Sequence, residues 1–166
     1  MLQLKPLSRD AIPAALAKAD RYRLLNEAAL AESVCDDILA VDHDNQQALV
    51  LRLLALTDQF GHGRVGLAGT AREIARGLHD EYERAYYEGI VAERQGRALL
   101  ARHDRPSSGV LAFEWLSDAL AHFDRAILLR RAGNDDAVLR WNACARTLNH
   151  LPQPAIDAER PAVISE

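Results

Sequence analysis

Cysteine is scarce: Cys35 and Cys144 are the two in 166 residues, more than a hundred positions apart, with no CxxC, CxxCH or neighbouring His pair. A disulfide-stapled scaffold and the usual zinc and redox motifs are thereby excluded, and both residues read as buried thiols. Val, Ile and Thr together number 18, against 29 Ala and 25 Leu, so a β-rich fold is excluded as well. No apolar run approaches the roughly 18 to 20 residues that cross a bilayer. The start, Met1-Leu2-Gln3-Leu4-Lys5-Pro6-Leu7, lacks the basic segment and apolar stretch of a secretory signal. The expected location is the cytoplasm, with no membrane partner. Lysine is nearly missing, 2 against 18 Arg, and Arg94, Arg97, Arg102 and Arg105 crowd into twelve positions. With a net charge of −4 and Glu88 and Glu93 nearby, these arginines read as a solvated helix face rather than a nucleic-acid site.

The signatures of catalysis are missing too. The six histidines, His43, His62, His79, His103, His122 and His150, show no i, i+3 or i, i+4 pairing among themselves, which argues against zinc. No Ser stands in a nucleophile elbow, and Glu88 and Glu93 are five apart, a weak arrangement for acid and base on one helix face. Gly133-Asn134-Asp135-Asp136 has a cation-site look, but it falls between two helices, where Asn and Asp cap N–H groups. The expectation is a non-enzyme without metal or cofactor.

What is present is repetition. Residues 31–49 have the form of an amphipathic helix, an Asx-rich turn and a second helix start, with Ala31, Cys35 and Ile38 on one stripe. Upstream, a helix over Ile12 to Leu24 ends at Asn26, a residue that tolerates a left-handed backbone. A second unit begins at Gln46, and the run Leu49, Val50, Leu51, Leu53, Leu54, Ala55, Leu56 makes Ala48–Asp58 a helix buried on most sides. Its partner is expected at Ala71–Leu78. A third unit carries Tyr86, Tyr87, Gly89 and Gly96, and returns through Ala119, Phe123 and Ala126. A last helix, Asp135–Leu148, bears Trp141.

This pattern resembles the tetratricopeptide repeat family over roughly residues 12–148, in about three and a half repeats. Cys35 stands where the family has an aromatic, and His43 replaces its Pro. The resemblance implies an all-α, right-handed solenoid of antiparallel helix pairs over residues 1–150, followed by a Pro-containing tail, 151–166. Ile156, Val163 and Ile164 of the tail could dock in extended form.

Two segments depart from the family. Between Gly96 and Ala119 the chain is too long for a tight turn, so the third hairpin is expected to extend about two turns further, closing at residues 104–109, with Pro106 and Gly109 at its tip. Leu99, Leu100, Leu111, Phe113 and Trp115 then need cover, from one another or from a partner. The second departure, residues 61–69, contains a literal GxGxxG ahead of a helix. A dinucleotide site needs it after a strand, however, and here a Leu-rich helix precedes it while Thr70 and Glu73 read as a capping box. A mobile interhelical loop is the expectation, and a small-ligand or nucleotide-binding helical protein or enzyme using this loop is the alternative.

The resemblance also implies a concave groove lined by positions two, five, nine, twelve and thirteen of each first helix. In the first repeat these are Pro13, Leu16, Asp20, Arg23 and Leu24; in the second, Gln47, Val50, Leu54, Thr57 and Asp58. The third contributes Glu83, Tyr86, Ile90, Glu93 and Arg94, and the last helix Leu139 and Ala143. Val50, Leu54, Tyr86, Ile90 and Leu139 are expected to form an apolar strip, with a polar end at Asp58, Glu93 and Arg94. The function so implied is a protein-interaction scaffold or adaptor for a protein or peptide partner, with a second copy of the chain as another possible occupant. Family members that clamp the acidic C-termini of chaperones use Lys, Arg and Asn at positions five and nine. Leu16, Asp20, Val50, Leu54, Tyr86 and Ile90 stand there instead, so no such clamp is expected.

Overall fold

A computed structural model describes residues 2–62, 64–102 and 107–151. A 3-10 turn, Arg9–Ala11, leads into seven α-helices: α1 Ile12–Leu24, α2 Ala28–Val41, α3 Gln46–Asp58, α4 Leu67–Arg76, α5 Glu81–Leu100, α6 Ser107–Leu129 and α7 Asp136–His150. No strand occurs among the described residues, and no helix is long and apolar enough to cross a membrane. The tail expected beyond residue 151 lies outside the described residues, as do His103 to Pro106 of the long hairpin's connection.

Local chemistry accounts for most helix boundaries. Pro13 occupies the first turn of α1, where its missing N–H is no loss. Asn26 turns the chain into α2 with φ of 63°. The side chain of Asn45 accepts from the Ala48 N–H at 3.0 Å, and that of Asp80 accepts from the Glu83 N–H at 2.9 Å, capping α3 and α5.

α4 corrects the expected capping box. It begins at Leu67, four residues ahead of the expected Ala71, and is preceded by Gly66 at φ 81°. Thr70 is therefore inside the helix, its hydroxyl donating to the Gly66 carbonyl at 3.4 Å. The left-handed glycine lets the helix start early, before any Ser or Thr cap is available. Gly69, expected in the loop, is likewise helical, and so is Gly109, which was expected at the hairpin tip but stands in the first turn of α6.

The elongated hairpin is present. α5 has 20 residues and α6 has 23, against 10 to 15 in the other helices. Two glycines let them come close: a Cβ on Gly89 would stand 2.5 Å from the Phe123 ring, and one on Gly96 would stand 2.8 Å from Leu116 Cγ. Gly96 is thus a packing residue inside α5. Trp115, one of the side chains needing cover, lies under the Arg72 guanidinium at 4.4 Å from its ring centre, and Leu100 packs on the hairpin core. Leu111 remains exposed.

Each helix packs on its neighbour in sequence, and in addition α1 meets α3 and α3 meets α5. The core is accordingly divided into three successive clusters. Leu16, Ala19, Cys35, Ile38 and Leu51 join α1, α2 and α3; Leu53, Leu56, Leu67, Ala75 and Val91 join α3, α4 and α5; Ile90, Leu116, Phe123, Ala137 and Cys144 join α5, α6 and α7. α3 gives buried residues to the first two through opposite sides and lays Leu54 against the third, which explains its nearly unbroken apolar run. Ala31, Cys35 and Ile38 are fully buried, as are Ala119, Phe123 and Ala126, so both stripes recognised in the sequence face the core.

Candidate binding face

Alternate helices α1, α3 and α5 carry most of the side chains expected to line a groove, and the first two bring theirs together. Pro13, Leu16 and Asp20 from α1 and Gln47 and Val50 from α3 line one open cleft of about 550 Å³. The spacing follows from helix geometry, since residues three and four apart share a face. Leu16 forms the floor and is itself buried, while Asp20 stands at the exposed rim.

Towards the C-terminal ends of the same helices the face becomes ionic. Asp58 of α3 accepts from Arg23 Nε of α1 at 2.8 Å and pairs with Arg94 of α5. Arg94 also donates to the Thr57 hydroxyl at 2.7 Å, so one carboxylate ties three helices together. Burial pushes the Arg94 pKa down from its ordinary value, and the charge of Asp58 opposes that shift. Leu54 lies partly buried beside this network and packs against two of the core clusters.

Beyond Arg94 the expected strip is interrupted. Ile90 is 1% exposed and belongs to the core of α5, α6 and α7, and Glu93 is 2% exposed. Leu139, by contrast, is 65% exposed. The continuous apolar strip from Val50 to Leu139 therefore does not form. Ile90 and Glu93 are drawn inwards because α5 is packed on both sides, by α4 and by the long α6. Glu93 meets Arg97 at 2.9 Å and Arg140 of α7 at 3.4 Å, which compensates a carboxylate that would otherwise be costly to bury.

Tyr86 lies at a second cleft, of about 610 Å³, bounded by the start of α5 and the connection between α6 and α7. It is the middle member of an aromatic group, stacked on Tyr82 with ring centres 5.6 Å apart and edge-on to Tyr87 at 5.2 Å. Tyr82 and Arg140 were not distinguished by sequence reasoning, and Tyr87 entered it only as part of the third unit's pattern. Tyr82 and Tyr86 are four residues apart on a helix, a spacing that could have drawn attention to the pair. The meeting of Arg140 with Glu93 across 47 positions left no local signal.

The glycine-rich segment is tied to α2 through Arg64. Arg64 donates to the Glu32 carboxylate of α2 at 2.6 Å and to the Gln59 side chain at 2.7 Å. That hydrogen bond is the main reason the Glu32 pKa lies below its ordinary value. Only a cleft of about 290 Å³ remains between this segment and α5. Burial raises the Cys35 and Cys144 thiols to about 11 and about 12, leaving both protonated and unreactive near neutrality. Among the described residues no group of three or more His, Cys, Asp or Glu is placed to hold a metal ion. Compared with protein-family models, curated proteins and solved structures, the chain matches none.

Proposed function

We propose that the chain is a protein-interaction scaffold of tetratricopeptide type, a right-handed solenoid of helix pairs whose first helices receive an extended or helical segment of a partner protein. The observation that carries this reading is the convergence of Pro13, Leu16, Asp20, Gln47 and Val50, positions two, five and nine of α1 and two and five of α3, on one open cleft. Its apolar floor and polar rim suit a peptide's alternating side chains. The Arg23, Asp58 and Arg94 network beside it supplies a rigid boundary that would fix the segment's register.

A small ligand on the glycine-rich segment has less support, because the arginine there is already engaged by Glu32 and Gln59. An acidic C-terminal peptide has little to meet in this cleft, where Leu16 and Val50 stand in place of basic residues. The reading is tested by affinity capture from cell extract with the wild-type chain, Val50→Asp and, as an outer-surface control, Asp124→Arg. A partner retained by the control and lost with Val50→Asp supports it. Equal capture by all three overturns it.

A further inference from the structure

Two of the three most exposed large apolar side chains among the described residues are close neighbours: Leu2 is 97% and Leu4 90% exposed, in the segment ahead of the 3-10 turn. This segment, residues 2–8, is not helical. Pro6 biases Lys5 before it towards extended backbone, and in an extended chain residues two apart point the same way, so Leu2 and Leu4 form one apolar edge. The root of the segment is fixed to the body. Leu7 lines a groove with Val34 of α2 and packs on the first core cluster, and Arg9 donates to the Val41 carbonyl at 3.2 Å. Residues 2–6 are thus an arm anchored at one end, with a pair of leucines that its own chain leaves uncovered.

The cleft between α1 and α3 is complementary to this arm. Leu16 and Val50 give it an apolar floor, and Asp20 and Gln47 stand at its rim. Asp20 lies 3.7 Å from Arg23, whose Nε is already held by Asp58 at 2.8 Å, so the exposed Asp20 carboxylate has only a share of one guanidinium. Lys5, exposed and next to Leu4, brings the opposite charge. From Pro13 to Asp20 the cleft runs about 10 Å along α1, and five extended residues span about 17 Å, enough to lay both leucines and Lys5 along it.

The arm's own cleft is out of its reach. The groove that seats Leu7 is lined by Ala11, Ala14, Ala15 and Lys18 of α1, whereas the cleft is lined by Pro13, Leu16, Ala17 and Asp20. At about 3.6 residues per turn these two sets lie on opposite sides of the helix. Leu4 stands three residues from Leu7, a span of about 10 Å, no more than the thickness of α1, so it cannot round the helix while Leu7 stays seated. A second copy has no such limit. Arm and cleft lie towards the same end of α1, so a two-fold axis beside that end brings each arm to the other copy's cleft at once.

We propose that residues 2–6 of one copy occupy the cleft between α1 and α3 of a second copy, with Leu2 and Leu4 on Leu16 and Val50 and with Lys5 beside Asp20, in a reciprocal dimer. The proposal rests on the reading of this cleft as the receiver of an extended segment, and it names that segment. Two short arms bury little surface, so the dimer is a micromolar one in exchange with monomer.

The test is sedimentation equilibrium of the full chain from about 1 to 200 µM, where a dimer of micromolar Kd passes from dissociated to formed. Leu2→Asp/Leu4→Asp should raise the dimer Kd by about a hundredfold or more, as should Val50→Asp, since each contact occurs twice in a two-fold interface. Leu128→Asp, at an exposed leucine on α6, should change it less than about twofold. Lys5→Glu and Asp20→Lys should each raise it about tenfold, and the two together should return it to within about threefold of wild type. Far-UV spectra establish that the variants are folded; where Val50→Asp loses helix, the exchange of the exposed Lys5 and Asp20 carries the test of the cleft. A monomeric wild type, a dimer indifferent to Leu2 and Leu4, equal weakening by Leu128→Asp, or no recovery on exchanging the charges overturns the proposal. The two readings fail separately. A monomeric wild type whose capture of another protein is lost with Val50→Asp removes the arm exchange alone. A dimer that meets every condition, with capture from extract indifferent to Val50→Asp, removes the reception of a foreign segment and leaves the arm exchange.

Discussion

Gly89 and Gly69 are both helical, yet the same substitution should act on them with opposite sign. In a helix, Gly to Ala contributes up to about 1 kcal/mol by restricting the unfolded chain. At Gly69 nothing stands within 4 Å of the added methyl, so Gly69→Ala should raise stability by about 0.5 kcal/mol. At Gly89 the methyl would meet Phe123 at 2.5 Å, and the fully buried ring has no free direction to retreat. Gly89→Ala should cost about 1 to 3 kcal/mol, read as a lower urea midpoint. Ala31→Leu, at a site with no exposure, should cost a similar amount. Cys35 and Cys144, held protonated by burial, should resist a thiol-specific disulfide reagent at pH 8 in the native state and react when the chain is unfolded.

At the scale of elements, what matters is which side chains bridge helices distant in sequence. Asp58→Ala would leave Arg94 mostly buried beside Arg23 with no carboxylate between them. The expected cost is about 2 kcal/mol, seen in thermal unfolding. Arg64 joins the glycine-rich segment to α2 through Glu32, whose pKa is lowered in the folded chain. A lowered carboxylate pKa contributes stability that is present above the ordinary value of 4.5 and is lost as pH falls through the folded value. The melting temperature of wild type should therefore fall more steeply on acidification below about pH 5 than that of Arg64→Ala. An acid limb of equal slope in both proteins would show that this pair contributes nothing. The start of α4 escaped sequence reasoning at this scale because two caps competed, Thr70 with Glu73 and the left-handed Gly66, and only the packing of Leu67 and Ala71 against α3 and α5 decides between them.

Over the whole molecule, the all-helical class was legible because Ala and Leu so outnumber β-branched residues, and the first helix was legible to its ends because Pro13 and Asn26 mark them. A far-UV spectrum should accordingly be predominantly helical. The candidate face was legible only in part. Leu16, Asp20 and Val50 meet as their spacing implies, since two helices of ordinary length pack side by side. Ile90 carries the same kind of signal and ends up in the core, because the depth of a side chain on α5 depends on a hairpin partner 23 residues long whose reach no local pattern states. Tyr82 and Arg140 are further still from such reasoning, since Tyr82 lines a cleft with Asp136 of α7 and Arg140 meets Glu93 of α5, both across long stretches of chain.

The succession of three core clusters, each shared by consecutive helices, also bears on how the chain folds in time. Contacts between sequence neighbours close short loops, and closing a short loop costs little chain entropy, so refolding should be complete on the order of microseconds to milliseconds, as in other helical chains dominated by local contacts. Assembly can begin in any one cluster and spread to the next through α3 or α5. A steady pull on the two ends should then peel helices away in successive small steps, recorded as several low-force events, where a fold stitched by distant strands would give way in one.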